Sequence, residues 1–530
     1  MDLNKLNVCM SENDWDELLN ILKPKFFPKD DTGKLIDFRI LAKVATLLLS
    51  NQPSVPNNVK VVALKCLANS CVNGYHYKKC NLKLELESKH YDKLYSLLSK
   101  NDSESPGPII DQEDYSLLVH FPYEGIANWT IDYITEHINI YDDLSEEELD
   151  ILRLSTQFLC NFVAFAIKES DADDFPTCLS NDVLKTAIMK CAQSDHTPIS
   201  KAACTYIHNS LKRLPQNLYT DGERIQLISH LIKPVKLGIQ AAIDAMIFLL
   251  KQPNQLRSIY DDLPVDDKLY LLELLHLNLR DFIYKEDSND FDTSLSSDSI
   301  VFLAEMFQQK CDLILKTVDS RLDGKEPTEI IILLDILGTL TTTSSTSHCI
   351  LQDNKSFLIN CIYLLKALHT AGKTSENYFT PVQKLSELAP SAQHLLDKEN
   401  TGGDPKQPAM NNYKKDIQAH PAFGFKAGLI RIIGNLAYKH KANQDSLRET
   451  EAIPLLLDCC NMDARNPLII QWTILAVRNV CEGNPENQNV IRELTKVGVV
   501  DSAIIREMGL TLHEGEDGKA IGVVPLVNNK

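Results

Sequence analysis

An all-α solenoid of helical repeats is what this 530-residue sequence predicts, and three features carry the prediction. Apolar residues recur at helical spacing along almost the whole chain, as in LAKVATLLLS, VKVVALKCLANSCV, ILRLSTQFLCNFVAFAI, IQAAIDAMIFLL and DKLYLLELLHLNL. Glycine contributes only 20 residues, roughly half its usual share, and alternating runs bounded by hairpin turn signals are nearly absent. Third, RIIGNLAYKHKANQD from Arg431 and LAVRNVCEGNPENQN from Leu475 share a pattern 44 residues apart. A chain of this length outgrows one core, whereas a repeat array grows by adding units that pack only on their neighbours.

The doublet parses as a three-helix unit. Asn484-Pro485 opens a first helix, with Asn as cap and Pro at the first helical position. A second starts near Ile453 in EAIPLLLDCC. Asn466-Pro467 caps a third, LIIQWTILAVRNVC, which is apolar nearly all round and so expected between layers. Three starts in about 45 residues, repeated, are the signature of an armadillo-type solenoid or superhelix. Asn435 to Asn479 and Asn443 to Asn487 both span 44 residues, and Pro454 aligns with Asp501 at 47. Fainter copies surround Asn69, Asn161 and Asn209, spaced by 92 and 48. From Asn209 to Lys398 the register stays open.

Breaks fall at KNDSESPGP near Ser105, at KEDSNDFDTSLSSDS from Lys285, and at ENTGGDPKQPAMNN from Glu399, the clearest linker. The expected layout is divergent repeats over 1–398, a linker over 399–420, two repeats over 421–512 and a tail over 513–530. That tail reads as mostly disordered with one short extended segment.

Net charge is −18, which speaks against nucleic acid and anionic membrane surfaces as ligands. Fourteen Asp and Glu, and no Lys or Arg, lie between Asn101 and Leu152. The fourteen cysteines are scattered without a C-x-x-C pair, as in a reducing compartment. No signal-peptide pattern opens the chain, and no apolar run reaches the ~18–20 residues of a membrane helix. A cytoplasmic protein without membrane insertion is expected.

Enzyme chemistry finds little footing. The segment ALHTAGKT, Ala367 to Thr374, fits a relaxed nucleotide-binding loop, with Lys373 for phosphates and Thr374 for magnesium. Yet Ala367 replaces the first glycine, and the preceding SFLINCIYLLKAL suits a helix rather than a strand. A helix end closed by Gly372, with Lys373 against its dipole, explains the same letters. There is no G-x-S-x-G or H-E-x-x-H, a calcium loop from Asp287 would place Asp292 where Gly is required, and the 14 His lack ligand spacing. No catalytic residue, metal or cofactor is therefore assigned.

The stretch FKAGLIRIIGNLAYKHKANQDSLRETEAIPLLLDCCNMDARNPLIIQWTILAVRNVCEGNPENQNVI resembles the C-terminal domain of the ataxin-10 family, over roughly Phe423 to Leu512. LLKALHTAGKTSENYF from Leu364 is similar to the stretch before it; TQFLCN and LKCLANSC resemble the N-terminal repeats more weakly. The resemblance implies an armadillo-repeat scaffold without enzymatic activity. It also implies links to cytokinesis, neuron survival, neurite outgrowth and ciliary or centrosomal functions. The localisation it implies is cytoplasmic, with perinuclear, centrosomal, ciliary-base or midbody placement.

Two surfaces are candidate protein-binding sites. The first is a groove of Arg431, Asn435, Leu475 and Asn479, because an Asn amide inside a helix can hold an extended peptide backbone. The alternative for these Asn is to tie neighbouring helices together. Importins and catenins place a Trp one turn before such an Asn; here the matching residues are Arg431, Leu475, Lys65, Gln157 and Thr205. That departure disfavours an importin-like cargo adaptor, the second reading; a nucleotide-dependent switch using Lys373 is the third. The other surface is the acidic window, where Phe121, Tyr123, Trp129, Tyr133 and Tyr141 would anchor a partner with a basic surface. Partner identity and oligomeric state, homo-oligomer included, stay open.

Overall fold

The computed structural model describes residues 3–27, 36, 38–49, 55–72, 112–167, 176–283, 295–317, 325–342, 346–375, 377–381, 420–461, 463–494, 506, 509–514 and 521–525. The three sequence breaks lie largely outside them. Two units divide the chain, Met1–Leu250 and Lys251–Lys530.

The first unit contains α1 (Leu3–Glu12), α2 (Trp15–Ile21), α3 (Phe38–Leu49), α4 (Asn57–Ser70), α5 (Gln112–His137), α6 (Glu146–Asn161), α7 (Asp182–Gln193), α8 (Thr197–Arg213), α9 (Asp221–Lys236) and α10 (Gln240–Leu250). Capping boxes start α6 and α9: Ser145 and Thr220 accept from the amides of Glu148 and Glu223, whose carboxylates bond back. The row α4–α6–α8–α10, each packed on the next, forms the spine. By length and composition, Glu146–Ala166 would pass for a membrane span, but 61% of its most apolar stretch is buried inside the fold. It is the central helix of this row.

The second unit contains α11 (Gln255–Tyr260), α12 (Val265–Ile283), α13 (Ser297–Lys310), α14 (Lys325–Leu340), α15 (Thr346–Asp353), α16 (Lys355–Thr374), α17 (Phe425–Ala437), α18 (Lys441–Glu449), α19 (Ala452–Asp458), α20 (Ile469–Cys481) and α21 (Pro485–Glu493). Its spine is the row α12–α14–α17–α20. The architecture is an all-α helical-repeat solenoid, and the register left open by the letters is set by packing, with α12 and α14 as the third helices preceding α17. Because α16 packs on α17, α18 and α19, one repeat runs α15–α16–α17, and residues 382–419 join its second and third helices.

The doublet is literal in the backbone. Gly424 and Leu468, 44 apart, take left-handed φ of 75° and 61° before α17 and α20. Lys439 and Gly483, again 44 apart, do so at 50° and 66° after them. A left-handed conformation costs a residue with a Cβ about 1–2 kcal/mol. Lys439→Gly is therefore expected to stabilise this unit by about 0.5–1 kcal/mol after glycine's greater unfolded-state entropy is counted. A lower urea midpoint for this variant would contradict the assignment. Gly434 serves close approach instead: a Cβ there would meet the Ala476 Cβ at 2.7 Å. At the same repeat position α20 carries exposed Arg478.

Three sequence expectations change. Asn466 does not cap its own helix; its Oδ1 accepts from the Ala427 amide at 3.3 Å, in the first turn of α17. A left-handed Leu468 stands between Asn466 and α20, and it is the backbone carbonyl of Asn466 that accepts from the Ile469 amide at 3.1 Å. α20 is not covered all round, for Ile474 is 59% exposed, and it is the last of its row among the described residues. The segment after Leu512 also begins inside an antiparallel hairpin: β1 (Leu510–Glu514) pairs with β2 (Ile521–Pro525), Leu510 opposite Pro525.

Candidate protein-interaction surface

Repeated Asn side chains bond from one third helix to the one before it. Asn161 Nδ2 donates to the Ala68 carbonyl at 2.9 Å, and Asn209 Nδ2 to Cys160 at 3.3 Å. Asn479 Nδ2 donates to Gly434 at 3.0 Å. Each acceptor immediately precedes the Asn of the preceding copy. Ala68 and Gly434 lie among the last carbonyls of their helices, which lack intrahelical donors, so there the amide of one repeat satisfies the end of another. Asn435 varies the theme by donating to Thr341 Oγ1 at 3.3 Å, and Asn69 reaches the Pro24 carbonyl at 3.1 Å.

The Asn-Gln pair eight residues on belongs to the same bracing. Asn443 Nδ2 donates to Leu436 and Gln352 carbonyls at 2.9 and 3.0 Å; Asn487 Nδ2 donates to Val480 and Gln444, both at 2.9 Å. Gln444 Nε2 reaches Asn479 and Glu482 carbonyls at 2.9 and 3.1 Å, while Gln352 does the same for Leu436 and Tyr438 at 3.3 and 2.9 Å. Gln352 thus occupies the Gln444 position of its own repeat.

The other two groove candidates are partly exposed. Leu475 is half-buried on α20. Arg431, also half-buried, carries its guanidinium 5.7 Å from the centre of the Trp472 ring, with Nη2 3.4 Å from the Asp335 carbonyl. It lies on Gly338, where a Cβ would stand 1.8 Å from Nη2. Trp472 falls three residues before the position a Trp–Asn ladder requires, yet the long Arg431 side chain spans that offset. Asp335 was a missed member of this cluster: burial raises its carboxyl pKa despite His276 and Arg431 nearby. Burial lowers the His276 pKa, and Arg280 and Arg431 lower it further. Leu277, 48% exposed on α12, adds apolar surface to the row.

The acidic window resolves differently residue by residue. Tyr123 is a correction: it is fully buried, stacks on Phe158 and Phe162, and donates its hydroxyl to the Ser70 carbonyl at 3.1 Å. It is core because the α5 face it occupies packs against α6. Trp129 and Tyr133 are half-buried and stack at 5.4 Å, with His137 continuing the stack at 3.9 Å. Tyr141 is half-buried in the turn that follows, and the Phe121 side chain lies outside the described residues.

Ala367–Thr374 forms no loop. These residues are the last turns of α16, and Lys373 Nζ pairs with Asp458. Gly372 lies within the helix rather than closing it, and admits the Phe379 backbone, whose oxygen would stand 2.3 Å from an added Cβ. The nucleotide-switch reading fails on this geometry. Nearby, Cys459 Sγ lies 3.6 Å from His369 Nδ1, and His369 Nε2 lies 2.8 Å from Asp458 Oδ2. The three side chains stand in the order nucleophile, base, acid, but burial pushes the thiol to about 11, far from the thiolate that such chemistry uses. Among the described residues, no three His, Cys, Asp or Glu are placed to hold a metal ion.

Stacked three-helix units, braced by side-chain amides and presenting a varied outer face, define an armadillo-like helical-repeat protein. Residues 425–522 match the family described as the spinocerebellar ataxia type 10 protein domain. The chain is similar to proteins named ataxin-10 in several vertebrates and to ataxin-10 homologs of Dictyostelium and yeasts. It is 33% identical over 270 residues to ataxin-10 of Xenopus tropicalis, covering 51% of this chain and 49% of that protein. It is 32% identical over 273 residues to that of Homo sapiens, covering 50% of each. An ataxin-10 homolog of Dictyostelium discoideum is 42% identical over 106 residues, 20% of this chain and 17% of its own. The chain spans about half the length of the vertebrate relatives it matches. A solved engineered protein aligns over 91% of this chain and 99% of its own at TM-score 0.33 and 12% identity, too low to bear on the fold.

Proposed function

We propose that this protein is a non-enzymatic interaction scaffold of the ataxin-10 type, acting in the cytoplasm. Family resemblance supports roles in cytokinesis, neuron survival and neurite outgrowth, or at the centrosome and ciliary base. The observation that carries the scaffold reading is the division of labour on the third helices. Asn161, Asn209, Asn435 and Asn479 are engaged in bracing the stack, while Arg431, Trp472, Leu475 and Leu277 form a face that can vary with the partner. An importin-like adaptor is disfavoured, because the amides it would use for a peptide backbone already have acceptors in the neighbouring repeat. The stack of Trp129 on Tyr133, beside exposed Asp132 and Glu136, supports a second docking face for partners with basic surfaces.

Proximity labelling in cells tests the reading. Leu475→Glu and Leu277→Glu, on half-buried and exposed sites, are expected to remove a subset of neighbours without shifting Tm. An unchanged neighbour list in both variants would sink the third-helix face as a binding surface.

A further inference from the structure

We propose that the third-helix face of the second unit binds an extended acidic peptide, with the Arg431 guanidinium receiving a carboxylate and the Trp472 ring walling an adjoining apolar seat. The proposal rests on the scaffold reading above and adds the chemistry of the partner.

The guanidinium is seated in advance. Trp472 lies to one side at 5.7 Å, the Asp335 carbonyl oxygen is 3.4 Å from Nη2, and Gly338 clears the space that a Cβ would fill. A planar donor fork held in place loses little freedom when a carboxylate arrives, and carboxylate is the group its geometry matches. The local charge agrees. Although the chain carries −18 overall, Arg280 and Arg431 gather here beside His276, whose pKa burial lowers first and the two arginines lower further. Asp335, the carboxyl that acts on His276, is disfavoured as an anion by burial, while exposed Glu273 stands one turn before Leu277 on α12. A basic peptide would meet Arg280 and Arg431 and be repelled. Half-buried Leu475 on the neighbouring α20 and exposed Leu277 on α12, beyond α14 in the same row, offer apolar contacts. Since Asn435 and Asn479 are engaged within the stack, recognition passes through side chains rather than the peptide backbone.

Fluorescence anisotropy on the full chain tests this, using labelled peptides of about ten residues that alternate Glu with Leu or Lys with Leu. The Glu peptide is expected to bind, and to bind more weakly as salt rises. Arg431→Gln is expected to weaken it at least about tenfold. Arg431→Lys, which keeps the charge but not the planar fork, is expected to restore part of the loss, and Trp472→Phe to weaken binding less than Arg431→Gln does. Thermal melts confirm that each variant is folded. Equal or tighter binding of the Lys peptide, wild-type affinity in Arg431→Gln, or no binding of either peptide would overturn the proposal. The scaffold reading would survive those results if Leu475→Glu still removed cellular neighbours.

Discussion

Lys426→Met is expected to lower the stability of the second unit by about 3–5 kcal/mol, the range for breaking one side of a buried ion pair. Lys426 is 2% exposed inside the first turn of α17, and its Nζ lies 3.5 Å from Asp463 Oδ2. The same Nζ donates to the Phe379 carbonyl at 3.2 Å. Asp463, 6% exposed, also accepts from Asn466 Nδ2 at 2.7 Å and from the Arg465 amide at 3.1 Å. Arg465 Nη1 in turn donates to Asn377 and Thr380 carbonyls at 2.6 and 2.9 Å. Two cations thus clasp the backbone of residues 377–380 onto α17 and the loop before α20. Met keeps the length of the stem but leaves the Asp463 charge buried without the ammonium. Urea denaturation followed by circular dichroism measures the loss, and Lys426→Met/Asp463→Asn should recover much of it. A single-variant cost under about 1 kcal/mol, as for an exposed pair, would mean that water reaches this pair.

Asn487→Ala should cost about 3 kcal/mol, from three side-chain hydrogen bonds at about 1 kcal/mol each. Asn487 has no exposed surface, its Nδ2 donates to two carbonyls at 2.9 Å, and its Oδ1 accepts from Arg448 Nη1 at 2.7 Å. Asn435, half-buried with a single bond to a threonine hydroxyl, should cost about 1 kcal/mol or less. The order Asn487, then Asn479, then Asn435 separates a brace from a ligand site. A ladder made for peptide would lose affinity rather than stability on each substitution. Equal and negligible stability losses at all three would therefore count against bracing.

Much of the fold was legible because its signals are local. Apolar spacing of three and four residues defines the third helices, and Asn484-Pro485 marks the start of α21 as read, with Asn484 Oδ1 accepting from the Asn487 amide at 3.2 Å. The 44-residue offset located matching positions, and the backbone repeats it at Gly424 and Leu468, and at Lys439 and Gly483. Residues whose meaning depends on a distant group were harder. Nothing near Asn466 in the sequence says that its side-chain carbonyl caps a helix beginning at Phe425, nor that Lys373 ends up beside Asp458. Tyr123 looked like an anchor because aromatic residues crowd an acidic stretch, and only the packing of α5 on α6 makes it core. Lys426 and Asp463 are two more charges in a list until their burial is known.

By itself the sequence determined the helices, their repeat length and the family resemblance at the C-terminal end, since each is written in residues within about one repeat of one another. What the tertiary structure decided is the employment of the repeated Asn. An amide serves a peptide or a neighbouring helix according to which acceptor lies about 3 Å away, and for Asn479 that acceptor is Gly434, on the preceding third helix. The same long-range placement set Arg431 over Trp472, turning an absent ladder into a differently built face.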